Sequence, residues 1–376
     1  MVLQLNGMKK IGIINSGGDC AGLNAVISSL VKCGEPLGYE FYGFERGWEG
    51  LLDPMVYRRL DRDAVRGISH LGGTILHTVN RGRFAGKVGS GDKSKIDPDI
   101  LAMASRNAKK LDLDGFIVIG GDGTLSAALQ LAEHGLNIIG VPKTIDNDLG
   151  ATDKTFGFST AVQIAVDALD KIHTTATSHE RTFLVECMGR HAGWISLYAG
   201  LAGSANAILL PEFPFELTDF LDHLRARRAS GRMSNVVVVA EGMKLGGKTF
   251  THRAGAHSSE TVFGGVSEQL MRTIEHVAPG EFEMRNVVLG HTQRGGSPNS
   301  QDRILAKRYG VEALLAYDRG EFGSMVAIRA GRMITTPIAE AVKSLKLVTA
   351  DNYEFQAAGK LGIYLGSEGA AVPAST

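Results

Sequence analysis

Short runs of β-branched and other apolar residues alternate along the chain with segments whose apolar residues recur at helical spacing. Ile11–Asn15 is typical of a buried strand. The segment that follows is expected to form a helix with one apolar face. Its apolar residues recur at intervals of three and four positions, at Leu23, Val26, Ile27, Leu30 and Val31.

The same alternation continues through the chain. It predicts further strands at Phe41–Phe44, Gly115–Ile119, Asn137–Val141, Thr182–Glu186, Ala207–Leu210, Val236–Glu241, Arg285–Leu289 and Met325–Arg329. It predicts further helices at Asp61–His70, Asp99–Leu111, Thr124–Glu133, Phe158–Ile172, Ala192–Leu201, Leu217–Arg227, Gly264–His276, Asp302–Ala316 and from Pro337 onward.

Strand–helix alternation of this kind indicates an α/β protein with parallel sheets covered by helices on both faces. The length of 376 residues fits two such sheets, with a change of sheet near Gly150–Gly157. Ligands of open α/β sheets bind at the carboxyl ends of the strands. The loops of interest therefore leave Asn15, Ile119, Val141, Glu186, Glu241 and Leu289.

Composition and charge exclude several classes of function. The chain has 40 basic and 40 acidic residues, so we expect neither a nucleic acid nor a membrane as a partner. Its apolar runs are far shorter than the roughly 18 residues of a membrane span, and Met1–Lys10 lacks the apolar stretch of a secretory signal. Cys20, Cys33 and Cys187 show no CxxC spacing, which favours a reducing compartment. We expect a cytoplasmic protein.

Glycine is the compositional outlier, with 48 residues in 376 against a usual share of about 7%. The first glycine cluster lies in Ser16–Asn24, between a predicted strand and a predicted helix. Glycines there let backbone N–H groups approach an anion, and the helix N-terminus adds partial positive charge. The loop matches neither the dinucleotide fingerprint nor the P-loop, and a tight strand-to-helix turn is the alternative interpretation.

Two later loops combine their backbone turns with carboxylates. In Gly120–Thr124, Asp122 is placed either to hold Mg²⁺ against phosphate oxygens or to cap the following helix. In Pro142–Asp148, a carboxylate is placed either to accept a proton from a hydroxyl or to form an Asx turn. The first motif also occurs in kinases that act on NAD and diacylglycerol, so it indicates a phosphoryl donor more firmly than an acceptor.

Basic and polar groups follow the later strands. Met188–Arg190, Glu241–Gly242 and His291–Gly296 each stand where a predicted strand ends, and Arg181 stands where one begins. Each residue alone is more typical of a surface ion pair or a structural histidine. Together they form a set of cations suited to a sugar phosphate.

The strings GGD…N, GGDGT, PKTIDND, MGR, EG and GHTQRGGSP, in this order, resemble those of the 6-phosphofructokinase family from about Ile11 to about Arg329. The resemblance implies two Rossmann-like three-layer domains, with the active site in the cleft between them. It implies transfer of the terminal phosphoryl group of ATP to the C1 hydroxyl of D-fructose 6-phosphate in glycolysis, with Mg²⁺ as cofactor. A pyrophosphate donor and another acceptor, such as sedoheptulose 7-phosphate, are the alternatives.

Matching positions give individual residues an implied role. Asp146 is the implied general base and Arg190 the cation that stabilises the transferring group, with Thr144 and Lys143 as further catalytic residues. The implied donor site comprises Gly18, Arg81, Gly121, Asp122, Gly123 and Thr124, with Asp122 as the magnesium ligand. The implied sugar-phosphate site comprises Thr144, Ile145, Asp146, Arg181, Met188, Gly189, Arg190, Glu241, Arg285, His291, Thr292, Gln293 and Arg294.

The resemblance also implies an assembly and a division into domains. Arg181 and Arg285 match arginines that reach the 6-phosphate from a neighbouring subunit, so we expect a homo-oligomer, either a dimer or a tetramer. The donor-binding domain is expected at 1–157 plus about 293–336, and the sugar-phosphate-binding domain at 158–292 plus about 337–365. Residues 366–376 are expected to form a flexible tail.

Two departures from the family pattern concern the donor. Pyrophosphate-dependent members have Lys at the position of Lys143, whereas bacterial ATP-dependent members have Gly. At Gly123, pyrophosphate-dependent members have Asp, and an Asp there would clash with the α-phosphate of a nucleotide. We therefore expect ATP, because a lysine is compatible with both donors. The arginine near the adenosine aligns with Asn80, and Arg81 stands one position further along.

A third departure concerns regulation, because the effector site of the bacterial enzymes is rich in arginine. Ser28 and His173 stand at two of its matching positions and Lys32 at another, and Arg62 is retained. We expect weak or absent regulation by ADP and phosphoenolpyruvate.

Two other classes of function are disfavoured. A catalytically inactive regulatory homologue would be free to lose Asp122, Asp146 or Arg190, and all three are present. A nicotinamide-dependent dehydrogenase would carry the dinucleotide fingerprint, which the first glycine loop lacks.

Overall fold

The structure is a computed structural model that describes residues 9–79, 82–84, 95–253 and 261–366. Its β-strands are β1 (Lys9–Asn15), β2 (Tyr39–Phe44), β3 (Tyr57–Leu60), β4 (Gly115–Gly120), β5 (Ile138–Thr144), β6 (Phe156–Gly157), β7 (Thr182–Cys187), β8 (Ala207–Leu209), β9 (Asn235–Ala240), β10 (Lys244–Leu245), β11 (Lys248–Thr249), β12 (Thr251–Arg253), β13 (Thr261–Phe263), β14 (Met284–Val288), β15 (Ser324–Arg329) and β16 (Arg332–Pro337).

The α-helices are α1 (Leu23–Gly34), α2 (Pro98–Lys110), α3 (Asp122–Glu133), α4 (Phe158–Ser178), α5 (Trp194–Ala202), α6 (Leu217–Ala229), α7 (Val266–Val277), α8 (Ser300–Asp318), α9 (Ile338–Ala341) and α10 (Tyr353–Lys360). Short 3₁₀ helices lie at Glu35–Leu37, Gly47–Leu51, Ile68–His70 and Gly290–Arg294. Within the described ranges, no helix is both long enough and apolar enough to cross a bilayer.

The described residues form two compact units. The first unit contains the residues up to Ile145, Leu149–Thr160 and Arg294–Leu345. The second unit contains Asp146–Asp148, Ala161–Gln293 and the residues from Lys346 onward. Each unit is therefore built from separate stretches of the chain.

The first unit has an eight-stranded sheet in the order β16-β15-β5-β4-β1-β2-β3, with β6 paired to β5. The inner pairs are parallel, whereas β3 and β16 are antiparallel to their neighbours. The central strand β4 is apolar and buried throughout, and β5 is buried from Ile138 to Lys143, as expected for strands covered on both faces. Local signals begin its helices: the carboxylate of Asp97 accepts the N–H of Asp99 at 2.9 Å, and α2 starts at Pro98.

The second unit has a four-stranded parallel sheet in the order β14-β7-β9-β8. Its central strand β9 is completely buried. The open edge of β8 is covered by the segment at Tyr364, whose backbone exchanges hydrogen bonds with Asn206 and Ile208. Two small antiparallel strand pairs, β10 with β11 and β12 with β13, follow β9 in sequence.

The prediction of an α/β fold with mainly parallel sheets is confirmed. The predicted helix at Asp61–His70 is wrong. The carboxylate of Asp61 accepts the N–H of Ala64 at 2.8 Å in a turn, and Gly67 has a φ of 70°, which a right-handed helix does not allow. The sequence pattern also missed β3, β16 and α10.

Candidate active site

In the first unit, the glycine loop after β1 has two cations beside it. The Lys143 ammonium donates a hydrogen bond to the carbonyl of Gly18, and the Arg294 guanidinium donates one to the carbonyl of Asp19 at 3.1 Å. A Cβ at Gly18 would collide with the Arg294 guanidinium in its present position, so the glycine allows this close approach. Gly17 has a φ of 82° and lies close to Lys143 and Thr124. The loop can thus offer backbone and two cations to an anion.

The second glycine loop joins β4 to α3. Gly121 is the N-cap of α3 in an extended conformation, and Asp122 is the first helical residue. The alternative that Asp122 caps the helix is therefore wrong. Thr124 is 8% exposed, and Gly120 has no room for a Cβ against its side chain. Gly123 lies beside Asp122 in the first turn and is partly exposed.

The first unit fits a magnesium ion held jointly with phosphate. Among the described residues there is no group of three or more His, Cys, Asp or Glu side chains that could hold a metal alone. Mg²⁺ usually keeps several waters and takes only one or two carboxylates together with substrate phosphates. Asp122, partly exposed in the first turn of α3, meets that requirement.

The end of β5 carries Lys143 and Thr144. Lys143 is only 4% exposed, although its ammonium reaches the first glycine loop. Parallel pairing with β6 holds this strand end, and the hydroxyl of Thr155 donates to the carbonyl of Thr144 at 2.7 Å. Ile145, the last residue of this stretch, is buried. The position of Lys143 is thus fixed by a paired strand.

In the second unit, one loop after β7 is held by side chains from distant parts of the chain. Oε1 of Glu241 accepts the N–H groups of Gly189 at 3.2 Å and Arg190 at 3.0 Å. Oε1 of Gln293 accepts the N–H of Met188 at 2.8 Å. The family resemblance implies that Glu241 and Gln293 are sugar ligands, and the structure adds that both hold the backbone of the Met188–Arg190 loop.

Asp146 and Glu241 are two buried carboxyl groups of the second unit. Asp146 is 5% exposed and Glu241 is 6% exposed. Burial, together with the charge of Asp146, raises the pKa of Glu241 to about 7, although the two loop N–H groups oppose the shift. Such a raised pKa is common at functional sites, where burial and like charges are combined.

Arg181 and Arg285 lie on either side of one carboxylate. Nε of Arg181 is 2.6 Å from Oε1 of Glu283, and a terminal nitrogen of Arg285 is 3.0 Å from the same oxygen. The Arg285 side chain is 51% exposed and the Glu283 side chain 50% exposed. The second unit therefore brings these two arginines together at its surface.

The remaining predicted residues differ in placement. His291 and Thr292 are exposed in the 3₁₀ helix at Gly290–Arg294, and the Thr292 hydroxyl donates to the carbonyl of Leu289 at 2.5 Å. Asn80 and Arg81 lie outside the described residues.

The four regulatory positions do not form a set of free cations. Ser28 is buried, and its hydroxyl donates to the carbonyl of Val65 at 3.4 Å. Nε2 of His173 lies 2.7 Å from the carbonyl of Gly203. Arg62 donates to the carbonyl of Lys32 at 3.2 Å.

A family model for phosphofructokinase matches residues 10–317. The chain belongs to the phosphofructokinase family. An ATP-dependent 6-phosphofructokinase of Chloroflexus aggregans is 45% identical over 360 residues, which cover 96% of this chain and 98% of that protein. A pyrophosphate–fructose 6-phosphate 1-phosphotransferase of Streptomyces coelicolor is 44% identical over 366 residues, covering 95% of this chain and 100% of that protein.

Solved phosphofructokinase structures share the fold. The Pichia pastoris phosphofructokinase in the T-state superposes with a TM-score of 0.78 at 29% identity. The superposition covers 91% of this chain and 36% of the yeast chain, so this chain corresponds to about a third of that protein. Relatives of both donor types are thus similar to this chain to nearly the same degree, so overall identity does not distinguish ATP from pyrophosphate as the donor.

Proposed function

We propose that this phosphofructokinase transfers the terminal phosphoryl group of ATP to the C1 hydroxyl of D-fructose 6-phosphate. The 45% identity, over nearly the whole chain, to an ATP-dependent 6-phosphofructokinase supports the reaction, and the glycine at position 123 is the observation that carries ATP as the donor. Pyrophosphate as donor is the second candidate. It is favoured by Lys143 and by the 44% identity to the Streptomyces coelicolor enzyme.

The proposed donor site lies at the two glycine loops of the first unit. Backbone groups of Gly18, Gly121 and Gly123 and the side chain of Thr124 would contact the phosphates. Lys143 and Arg294 supply positive charge beside the first loop. Asp122 would hold Mg²⁺, which when bound neutralises charge on the phosphates. Arg81 is proposed as an adenosine contact from its sequence position.

The proposed chemistry uses residues that follow β5 and β7. Asp146 would take the proton of the C1 hydroxyl while the hydroxyl oxygen attacks the terminal phosphorus of ATP. The bond between that phosphorus and the bridging oxygen then breaks, and ADP is released. Arg190 would stabilise negative charge on the transferring group, and Thr144 would orient it. Glu241 supports this proposal, since its carboxyl group accepts the backbone N–H of Arg190.

The sugar phosphate is proposed to bind at Thr144–Asp146, Met188–Arg190, Glu241 and His291–Arg294. Arg181 and Arg285 are proposed to reach the 6-phosphate of a sugar bound to a neighbouring subunit, in a homodimer or homotetramer. The pair is supported by its placement at the surface of the second unit, where both guanidinium groups bind one carboxylate. As an enzyme of glycolysis it is proposed to act in the cytoplasm.

A matrix of donors and acceptors tests the proposal. ATP, other nucleoside triphosphates and pyrophosphate are each assayed with fructose 6-phosphate and with sedoheptulose 7-phosphate. We expect the highest kcat/KM for ATP with fructose 6-phosphate. A kcat/KM for pyrophosphate equal to or above that for ATP would replace the donor, and a higher value with sedoheptulose 7-phosphate would replace the acceptor.

A further inference from the structure

Two loops of the second unit carry the proposed base and the proposed cation, and a third segment is bonded to both. The loops are Asp146–Asp148 and Met188–Gly193, and the third segment is Lys346–Val348, here called the bracket. The N–H of Lys346 donates to the carbonyl of Asp148 at 2.7 Å. The carbonyl of Lys346 accepts the indole N–H of Trp194 at 2.8 Å, immediately after the second loop. Lys346 thus bonds both to the first loop, at Asp148, and to Trp194, the residue that follows the second loop.

Glu212 makes a second connection between the bracket and the loop of Arg190. Its Oε1 atom accepts the N–H of Gly193 at 2.8 Å and the N–H of Val348 at 3.0 Å. Its Oε2 atom is buried and has no hydrogen-bond partner among the described residues. A Cβ at Gly193 would lie 2.7 Å from Oε2, so the carboxyl group fills the space beside this glycine.

The Met188–Gly193 loop is therefore held at both ends by carboxyl groups. Glu241 binds its beginning at Gly189 and Arg190, and Glu212 binds its end at Gly193. Of these two carboxyl groups, Glu212 also binds the bracket, at the N–H of Val348. The bracket in turn binds the carbonyl of Asp148 through the N–H of Lys346. The Lys346 ammonium also lies over the indole ring of Trp194, with its nitrogen 5.6 Å from the ring centroid.

We propose that Glu212 is a positioning residue, which through the bracket fixes the loop of Arg190 relative to the loop of Asp146. This inference rests on the proposed function, since it assumes that these two loops carry the reacting groups. Phosphoryl transfer depends on in-line placement, and a displacement of about 1 Å can cost roughly 100-fold in rate. Glu212 acts through backbone contacts of the loop and the bracket, and loops are the parts of a site that require such support.

The decisive comparison is between Glu212→Ala and Glu212→Gln. Alanine removes the acceptor of both N–H groups, so kcat should fall by about 10- to 100-fold while both KM values stay within about 3-fold. Glutamine keeps a side-chain oxygen for both bonds and should restore kcat to within about 3-fold of the wild type. An unchanged kcat in Glu212→Ala, or an equal loss in both variants, would overturn the proposal.

Trp194→Phe decides the question if Glu212→Ala does not fold. It keeps an aromatic ring beside Lys346 but removes the indole bond to the bracket, and kcat should fall several-fold with little change in KM. Tyr198→Phe is the matched control on the same helix, because it removes the 2.8 Å bond to Glu354 and keeps the aromatic ring beside Trp194. Equal kcat values in these two phenylalanine variants would contradict the proposal.

Amide hydrogen exchange separates this proposal from the proposed function. Glu212→Ala should accelerate exchange at Gly193, Lys346 and Val348, and Tyr198→Phe should leave these amides unchanged. This measurement requires no substrate. If the wild type proved inactive with ATP and fructose 6-phosphate, the proposed function would fail, whereas unaccelerated exchange would show that Glu212 does not hold the bracket.

Discussion

Oε1 of Glu241 accepts the backbone N–H of Arg190 at 3.0 Å. Arg190 has a φ of 52°, a left-handed conformation that costs free energy in a residue other than glycine. A Cβ at Gly242, the residue after Glu241, would collide with the carbonyl of Arg190. The Glu-Gly pair after β9 thus supports an unfavourable backbone at Arg190, and such support is typical of functional sites.

Glu241→Gln should alter the pH dependence of stability. Because the pKa of Glu241 is raised from 4.5 to about 7 in the folded state, its contribution is fully present below pH 4.5 and is lost as the pH rises through 7. Glutamine keeps an acceptor but does not ionise. The melting temperature of the wild type, relative to that of the variant, should therefore fall between about pH 4.5 and 7 and stay level above it.

Thermal unfolding at matched pH values checks this prediction. The difference between wild type and variant cancels contributions of other buried acids, such as Asp302, whose pKa is also raised by burial. A difference that does not change with pH would mean that Glu241 titrates at its ordinary value.

Asp146→Asn should lower kcat by about 10²- to 10⁴-fold, the usual contribution of a positioned general base. The side chain is 5% exposed, and Asn has nearly the same shape, so the variant should fold. Steady-state kinetics with ATP and fructose 6-phosphate provide the measurement. Asp170→Asn, on an exposed face of α4, is the control and should leave kcat unchanged. Near-wild-type turnover in Asp146→Asn would remove this residue from the mechanism.

Gly123→Asp should sharply reduce the kcat/KM for ATP. The kcat/KM for pyrophosphate should rise relative to that for ATP. The added carboxylate would stand in the first turn of α3, beside Asp122, where it repels and blocks the α-phosphate. Lys143→Gly should lower kcat with ATP more modestly, because Arg294 still supplies a cation beside the first glycine loop. Donor assays on both variants check the order, and a larger effect of Lys143→Gly would show that the lysine governs donor use.

Arg181 and Arg285 should act across a subunit interface. Asp146→Asn and Arg285→Ala subunits, each inactive alone, are mixed after dissociation and allowed to reassemble. If the arginines serve a neighbouring site, some hybrids contain an intact site, and activity should return. Hybrid formation is verified by mass, and hybrids without activity would indicate that each subunit contains its complete site.

The fold could be predicted from the sequence where local patterns decide it. The buried strands β1, β4, β7 and β9 each contain a run of apolar residues, and their prediction required no knowledge of partners. The helix expected at Asp61–His70 failed because a turn around Asp61 and the positive φ of Gly67 outweigh its apolar spacing. The strand β16 was missed because its identity depends on antiparallel pairing with β15.

The candidate site could likewise be predicted only in part from the sequence. Glycine loops and carboxylates are visible as motifs because their residues are neighbours in sequence. The contacts of Glu212 with Gly193 and Val348 join positions separated by 19 and 136 residues, and no spacing rule connects them. Arg294 likewise reads as part of a sugar-binding string, and only the structure places it beside Asp19.

The bracket is synthesised after both of the loops that it connects. Lys346–Val348 is translated long after the loops that it joins. A nascent chain can therefore form β5 and β7 while the contacts of Asp148, Trp194 and Glu212 with the bracket are still missing. The second unit also takes Asp146–Asp148 from the middle of the first. Chains arrested before Lys346 would lack the segment that bonds to Asp148, Trp194 and Glu212, and with it the connection between the two loops.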